Sequence, residues 1–391
     1  METATRRDAM VNFLEEIGLW NDPRRRFFLP ASNHSINDSE VESISEIGIE
    51  IASLIKASDC LMQKAVAKNI NSGGMAFFRR TAQIGIPKNR RRHQRAVNGS
   101  FPETLKVDLV KGKDGRFYIV EIDSVNTHGL GYGVILQKLE SFLENQNQQF
   151  VGTTEVLNHK PLSVIVPFRD RFHEGEWKAV SEIIETLDFH RERDVRPVDF
   201  KGKTVLDIHE RLENGFQAEL VEMMLAGDLK VLVPPKDSLG SKNILPLAWN
   251  SETEELLTEN GCNVKSLKEY LPEAHFVSRR TDLTNFSEED WLVKDVNSNA
   301  MKGVVSLSKH LERCQSSNFG VILQKKIEQQ EQPFQFFGSE GEVREEDLYV
   351  RYVVFYKNDG TPLDCLYTAT PDELTHGGVK AVMGVCSWVG K

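Results

Sequence analysis

The sequence predicts a mixed α/β (α+β) fold assembled from several parts. Three observations predict it, namely helical spacing of apolar residues over 40–69, strand alternation over 104–123, and alternating strand-like and helix-like runs after residue 160. Alternation of the last kind is typical of a small parallel α/β unit. With 391 residues the chain is long enough for more than one core.

The first part is a helical N-terminal region, predicted over residues 1–100. Apolar residues recur at helical spacing from Val41 to Val66, and acidic residues come early in that stretch. The run Asn71–Gly74 then breaks the pattern. We therefore expect a long helix before residue 70.

The second part, residues 101–150, begins with an acidic hairpin. The strand-like runs TLKVDLV and RFYIVEID are joined by KGKDG, whose Asp-Gly step suits a tight turn. A glycine-rich turn, Thr127–Gly133, and the helix-like run VILQKLESFLENQ follow. The period changes here from helical spacing to strand alternation, so a different structural unit begins near residue 101.

Three further parts complete the expected organisation. Residues 151–237 are expected to form the small parallel α/β unit, since LSVIVPF and DLKVLVPP read as strands around an amphipathic helix. Residues 238–330 contain a helix around ILPLAW and the strand-like runs WLVKDV and GVILQKKIE. Residues 331–391 are rich in strand formers and contain LYVRYVVFYKNDGTPL, a second hairpin.

Composition and charge limit the class of protein. No apolar run reaches membrane-spanning length, and the N-terminus lacks the apolar core of a secretion signal, so we expect a cytoplasmic protein with no membrane partner. The net charge of −10 makes nucleic acid an unfavourable general partner. Cysteines are far apart and form no CxxC pair, which argues against a zinc knuckle and a disulfide framework.

Two local basic runs oppose the acidic balance. They are Arg24–Arg26 and the stretch KNRRRHQR over residues 88–95. One interpretation is a solvated surface loop; the other is an electropositive rim that receives an anionic substrate or a carrier RNA.

The acidic hairpin carries the first candidate site. Strand alternation places Asp108 on one strand and Glu121 and Asp123 on its partner so that three carboxylates converge. Facing carboxylates repel unless a cation lies among them, and oxygen ligands of this kind select Mg²⁺. Asn126 and His128 lie just beyond and are candidates to complete the site or touch a substrate. The alternative is an exposed, structural hairpin face.

Two lysines on apolar elements form the second candidate site. Lys242 begins the segment KNILPLAW, and Lys294 lies inside the strand-like run WLVKD. A lysine buried in such a run is costly unless it meets an anion, and a nucleotide phosphate is such an anion. The loop over residues 295–303 is expected to close over it. The alternative is a lysine at a strand edge whose charge reaches solvent.

Two weaker signals lie nearer the C-terminus. The strand GVILQKKIE reaches a polar segment at Gln324, where unpaired strand-end groups would suit an adenine edge. Arg351 is a lone charge in LYVRYVVFY and is expected to face a phosphate or carboxylate. The turn over residues 375–378, with His376, is expected near the same face.

In this order, the segments resemble the circularly permuted ATP-grasp ligases, of which the glutathionylspermidine synthetases are members. The resemblance rests on the hairpin Asp108…Asp114-Gly115…Glu121-Ile122-Asp123 and on PPKDSLGSKNILPLAWN, with support from the Lys294, Gln324 and Arg351 segments. It covers residues 100–390 in pieces. Asp123 stands where the family has Asn, and Lys106 where Arg is expected, and the first hundred residues match no part of the family.

The resemblance implies a complete set of roles. Asp108, Glu121 and Asp123 would hold Mg²⁺, while Lys242 and Lys294 would grip the phosphates of ATP. The backbone around Gln324, Lys325 and Ile327 would receive the adenine, and Arg351 would stabilise the acyl phosphate and the tetrahedral species that follows. The implied reaction activates a carboxylate as an acyl phosphate and transfers it to an amine, releasing ADP and phosphate.

Two other functions stay open from the sequence. A small-molecule kinase would use the same nucleotide site with a hydroxyl acceptor. A non-catalytic nucleotide- or RNA-binding module would use the basic run at residues 88–95, although such a module has no need of three metal-binding carboxylates. The identity of the carboxylate and amine is not encoded in these motifs, and a homo-oligomer is compatible with them.

Overall fold

The computed structural model confirms the mixed α/β class, with helices and several sheets. It describes residues 3–125, 127–142, 152–157, 162–168, 170–278, 281–296, 304–307, 318–374 and 380–388. The α-helices in these ranges are α1 Thr3–Glu16, α2 Asp38–Ala67, α3 Gly74–Thr81, α4 Lys88–Ala96, α5 Leu130–Glu140, α6 Thr154–Leu157, α7 Arg171–Ile183, α8 Asn214–Leu225, α9 Ser251–Glu259 and α10 Val264–Tyr270. None of these helices has the length and apolarity needed to cross a membrane.

The strands of the described residues form three sheets of seven, four and four strands. In chain order they are β1 His34–Ile36, β2 Thr104–Lys111, β3 Phe117–Asp123, β4 Leu162–Val166, β5 Leu187–Arg191, β6 Thr204–Asp207, β7 Lys230–Val233, β8 Ala274–Ser278, β9 Trp291–Asp295, β10 Val304–Ser306, β11 Asn318–Lys325, β12 Glu331–Phe337, β13 Val343–Lys357, β14 Pro362–Thr370 and β15 Val382–Trp388.

The long helix α2 is the expected one before residue 70. Its first turn is fixed by a capping box, in which the Asn37 side chain accepts from the Glu40 backbone and Glu40 accepts from the Asn37 backbone. Its apolar face packs on the seven-stranded sheet, where the Tyr356 hydroxyl donates to the carbonyl of Ile44 at 3.0 Å. A side chain at Gly48 would overlap the carbonyl of Gly360. Helix and sheet therefore meet at backbone distance.

The seven-stranded sheet places the acidic hairpin beside the C-terminal strands. Its order is β1-β15-β14-β13-β2-β3, with β12 pairing with β13. The β2–β3 pair is antiparallel, and Gly115 at φ 80° supplies the left-handed residue of its turn. Since β13 also pairs with β2, segments that are about 240 to 250 residues apart in sequence become neighbours.

The second sheet is antiparallel, in the order β10-β9-β11-β8. Strand β9 contains Lys294, which lies opposite Ile322 of β11. Leading into this region, residues Lys242–Leu247 form a 3₁₀ helix that is buried throughout. Lys242 itself, at its start, is buried.

The third sheet is parallel, in the order β5-β4-β6-β7. The predicted strand LSVIVPF contains β4, and DLKVLVPP contains β7. The chain runs from β4 outward to β5 and later from β6 outward to β7. The strand order therefore reverses between β4 and β6.

The surface-loop interpretation of residues 88–95 is wrong, because these residues lie in helix α4. Arg90 and His93 are buried. Arg90 donates through Nε to the Asp237 carboxylate at 2.9 Å and through Nη1 to the carbonyl of Ile208 at 3.3 Å. The stretch looked fully solvated because its partner carboxylate lies nearly 150 residues away in sequence.

Candidate functional site

The acidic hairpin presents its polar residues in opposed pairs. Asp108 lies opposite Glu121, Lys106 lies opposite Asp123, and the register then shifts so that Val120 is an extra, bulged residue in β3. A bulge bends its strand and re-aims the neighbouring side chains. Because the pairs are successive on one face, the carboxylates and Lys106 form a continuous charged strip along the hairpin.

Both predicted phosphate-binding lysines reach this hairpin. Lys242 Nζ lies 3.0 Å from Oε1 of Glu121. Lys294 Nζ donates to the carbonyl of Val120 at 2.9 Å, and its side chain is buried. The structure thus brings together residues from three separate segments that the sequence had placed in one site.

Arg351 approaches the same carboxylates from β13. Its Nη1 lies 3.6 Å from Oδ2 of Asp108, while Lys106 Nζ lies 3.9 Å from Oδ1 of Asp108. With Lys242 and Lys294, these two make four basic groups around the three carboxylates of the hairpin strip. The cluster therefore has an excess of positive charge and is suited to an anion.

The ionisation of the lysines and carboxylates reflects this crowding. Burial lowers the pKa of Lys294 to about 8, although Glu121 opposes the shift. Burial tends to lower the pKa of Lys106, but the neighbouring carboxylates outweigh it and the pKa is raised. Burial tends to raise the pKa of Glu121, but the neighbouring lysines outweigh it and the pKa is lowered. Burial raises the pKa of Asp123 to about 6. Lys294 therefore loses its charge as the pH rises through about 8.

These groups line one cleft, called here the first cleft. Its walls come from the hairpin, the second sheet, β13 and the segment before β12. The predicted site residues in its lining are Asp108, Glu121, Lys294, Gln324, Lys325, Ile327 and Arg351. Lys242 is not in the lining and contacts the site through Glu121.

The segment predicted to receive the adenine, residues 324–327, forms one end of the first cleft. The backbone N–H groups of Lys325 and Lys326 donate to the carbonyls of Glu273 and Asp290, at 2.8 and 2.7 Å. The expectation of unpaired backbone groups at this strand end is therefore wrong for these two N–H groups, because neighbouring segments already supply their acceptors. Within the described ranges, Nε2 of Gln324 is buried and has no hydrogen-bond partner. The Gln324 side-chain amide is thus a polar group at the cleft with an unused hydrogen-bond donor. The sequence predicted only a contact from the backbone at this position, not from the side chain.

Asp123 borders a second cleft, further along β3. Arg90, Asp207, His209 and Asp237 also line this second cleft. Sequence reasoning did not select Arg90 as a site residue. The signal that could have found it was the basic run itself, if the run had been treated as a helix with one inward face.

Some predicted positions cannot be placed. Asn126, most of the loop 295–303, and the turn 375–378 with His376 lie outside the described residues.

Comparison with known proteins gives a fold likeness. Neither a family model nor a curated protein sequence matches the chain. Among solved structures, 34 chains match. One is the apo form of a glutathione synthetase-like effector from Globodera pallida, with a TM-score of 0.54 and 10% identity over 98% of this chain and 96% of that chain. The chain therefore has a glutathione synthetase-like fold.

Proposed function

We propose that the protein is a Mg²⁺- and ATP-dependent ligase of the ATP-grasp type, with circularly permuted segment order, that joins a carboxylate to an amine. The observation that carries this proposal is the first cleft. Residues from the hairpin, β9, the end of β11 and β13 meet there as carboxylates, a buried lysine, an amide and an arginine. This combination serves a metal ion, phosphates and a nucleobase together.

The residues present fit these two cofactors. Asp108 and Glu121 line the cleft and would offer the oxygen ligands that Mg²⁺ prefers. Both carboxylates pair with basic groups in the structure, so a bound metal ion would replace those basic groups as their partner. Nε of Arg351 is buried without a hydrogen-bond partner among the described residues, which leaves that guanidinium a donor for an oxyanion. Asp123 stays the predicted third ligand, although it borders the second cleft.

The chain's own groups then have defined tasks. Lys294 holds phosphate oxygens, and Gln324, Lys325 and Ile327 contact the adenine. Lys242 supports this site through its contact with Glu121. Arg351 stabilises the charge that develops as a carboxylate becomes an acyl phosphate and is attacked by an amine. Bound Mg²⁺ would neutralise part of the negative charge of the phosphates. Catalysis of this kind comes from positioning and electrostatic stabilisation rather than from a protein nucleophile.

The second cleft is the proposed place for the carboxylate or the amine. It continues along β3 from the first cleft, so a substrate there lies beside the phosphate-binding groups. The basic run at residues 88–95 contributes Arg90 to its wall. This position agrees with the rim interpretation of that run better than with an RNA-binding surface.

The test measures ATP binding by calorimetry and ADP release in the presence of Mg²⁺. Lys294→Met is expected to lower ATP affinity or turnover by about 100-fold, and Glu121→Gln to abolish the dependence on Mg²⁺. The matched control is Lys357→Met. Lys357 lies at the end of β13, lines neither cleft, pairs with Glu155 at 2.7 Å and is partly exposed, so a change below about 5-fold is expected.

Screening of carboxylates and amines follows once binding is established. ADP release that requires both a carboxylate and an amine supports the ligase. ADP release that requires only a hydroxyl compound would identify a kinase instead. A wild-type protein without ATP affinity, or one whose affinity is the same in Lys294→Met, would overturn the nucleotide site.

A further inference from the structure

A second polar cluster lies at the reversal point of the parallel sheet. In open α/β sheets, ligands bind outside the carboxyl ends of the strands where the strand order reverses. Here that point lies between β4 and β6. Asp170 and His173 follow β4 at the start of α7, and His209 follows β6. The loop between β3 and α5 adds His128.

These four side chains, called here the histidine cluster, converge closely. One ligand atom from each of His128, Asp170, His173 and His209 lies within 4.8 Å of the others. The imidazole of His173 contacts that of His128, and its centroid is 4.9 Å from that of His209. Three segments that are distant in the sequence thus deliver imidazoles to one point.

The arrangement of Asp170 and His173 is the one that prepares an imidazole for a metal. Nδ1 of His173 lies 3.1 Å from Oδ2 of Asp170, and both side chains are buried. A carboxylate on one ring nitrogen fixes the tautomer and leaves the other nitrogen as a ligand. That other atom, Nε2 of His173, is buried and lacks a hydrogen-bond partner in the part of the chain that the structure describes. An unmet buried acceptor of this kind needs an explanation.

The rings are kept in the state that metals require. Burial is the main cause that lowers the pKa of His128, His173 and His209, so each imidazole is neutral at physiological pH. Neutral imidazole is the ligating form. Nitrogen donors select divalent transition metals, whereas Mg²⁺ and Ca²⁺ prefer oxygen.

Two existing contacts bear on metal binding. Nη1 of Arg211 donates to Oδ2 of Asp170 at 2.9 Å, and the backbone N–H of Arg211 donates to Nδ1 of His209 at 3.1 Å. The Arg211 side chain is half exposed, so its charge can turn to solvent. Binding through Nδ1 of His209 exchanges one neutral hydrogen bond for a metal bond.

We propose that His128, His173 and His209 bind one divalent transition-metal ion of the Zn²⁺ class, with Asp170 orienting His173. Three protein ligands leave a position for water or a substrate group, as in catalytic zinc sites. His209 also lines the second cleft, so that open position faces the proposed substrate side. The ion is separate from the Mg²⁺ proposed at Asp108 and Glu121.

The test uses Co²⁺ as a spectroscopic probe on chelator-treated full-length protein, with Zn²⁺ in competition. One equivalent of Co²⁺ is expected to give visible ligand-field absorption that Zn²⁺ removes. His173→Gln and His209→Gln are each expected to weaken binding by about 100-fold or more, and Asp170→Asn by about 10- to 100-fold. The Asp170→Asn variant keeps all three imidazoles, so a loss of Co²⁺ affinity in this variant measures the contribution of Asp170 to orienting His173.

The matched control is His190→Gln, on β5 of the same sheet and partly buried, which is expected to bind Co²⁺ like the wild type. Glu121→Gln is also expected to keep Co²⁺ binding, which separates this ion from the first cleft. Thermal unfolding of the metal-free variants identifies any that do not fold, and the folded variants decide. A wild type without saturable Co²⁺ absorption, or unchanged absorption in a folded His173→Gln or His209→Gln, would overturn the proposal.

Discussion

The hairpin strip and the histidine cluster are both buried polar groups, but they solve the problem of burial differently. In the hairpin strip, charges remain and are balanced by one another, as in the contact of Lys242 with Glu121 at 3.0 Å. In the histidine cluster, burial keeps the imidazoles neutral, and the carboxylate of Asp170 is matched by Arg211. The difference predicts that single substitutions harm the first region far more than the second.

The largest effect is expected for Glu121→Ala. The substitution removes the carboxylate that lies 3.0 Å from the buried ammonium of Lys242, and loss of one partner of a buried ion pair costs about 3–5 kcal/mol of unfolding free energy. Glu121 is about a quarter exposed, so a value near 3 kcal/mol is expected. Urea unfolding measures it. The double variant Glu121→Leu/Lys242→Met should recover more than half of the loss, and a cost of Glu121→Ala below about 1 kcal/mol would contradict charge pairing as the basis of this region.

The next effect concerns the pH dependence of ATP binding. Since the pKa of Lys294 is lowered to about 8, the lysine is charged below that pH and neutral above it. ATP affinity should therefore be constant up to pH 7 and about 10-fold weaker at pH 9. Folding responds with the opposite sign, because the unfolded chain binds the proton more tightly, so the contribution of Lys294 to stability rises with pH above 8.

Titration calorimetry across this range checks the prediction on Lys294. The Lys294→Arg variant is the control, because a guanidinium keeps its charge throughout. An equal loss of affinity in wild type and Lys294→Arg would assign the pH dependence to another group.

A smaller effect is expected for His173→Gln in metal-free protein. The substitution removes a neutral ring, and Asp170 keeps its contact with Arg211, so no buried charge is stranded. The expected loss is about 1 kcal/mol, the usual value of one hydrogen bond. Chemical unfolding in the presence of chelator measures it, and a loss as large as that of Glu121→Ala would remove the contrast between the two regions.

The smallest effect is expected for Lys113→Ala. Lys113 pairs with Glu328 at 3.2 Å, but both side chains are largely exposed, and such pairs contribute about 0–0.5 kcal/mol. The same urea experiment serves as the measurement. A loss above about 1 kcal/mol would mean that burial is not what separates strong from weak charge pairs in this protein.

The hairpin strip was predictable from the sequence for a physical reason. Its members lie on two short strands joined by one turn, so strand alternation alone brings Asp108 and Glu121 together. Lys294 and Arg351 were singled out because a charge inside an apolar run requires a partner. Their convergence could not be derived from pattern alone, because it depends on β13 pairing with β2 across a long sequence separation.

The histidine cluster could not be predicted in this way. His173 and His209 follow strands whose order in the sheet is not written in any local pattern, and only His128 attracted attention, for its position after the hairpin. Arg90 was misplaced for the same reason, since its carboxylate partner, Asp237, comes from a distant segment. The periodicity of a sequence segment indicates which of its residues share one face of a helix or strand. The topology of the fold determines which of those faces pack together.

Lys106 is a positive charge that acts on both regions. Its charge acts on Asp108 and Asp123 in the hairpin and also on the rings of His128 and His173. An ion bound in either region changes the electrostatic potential at Lys106. The two binding equilibria are therefore thermodynamically coupled. If an ion in the histidine cluster changes the affinity of the first cleft for its ligand by some factor, that ligand changes the affinity of the histidine cluster for the ion by the same factor.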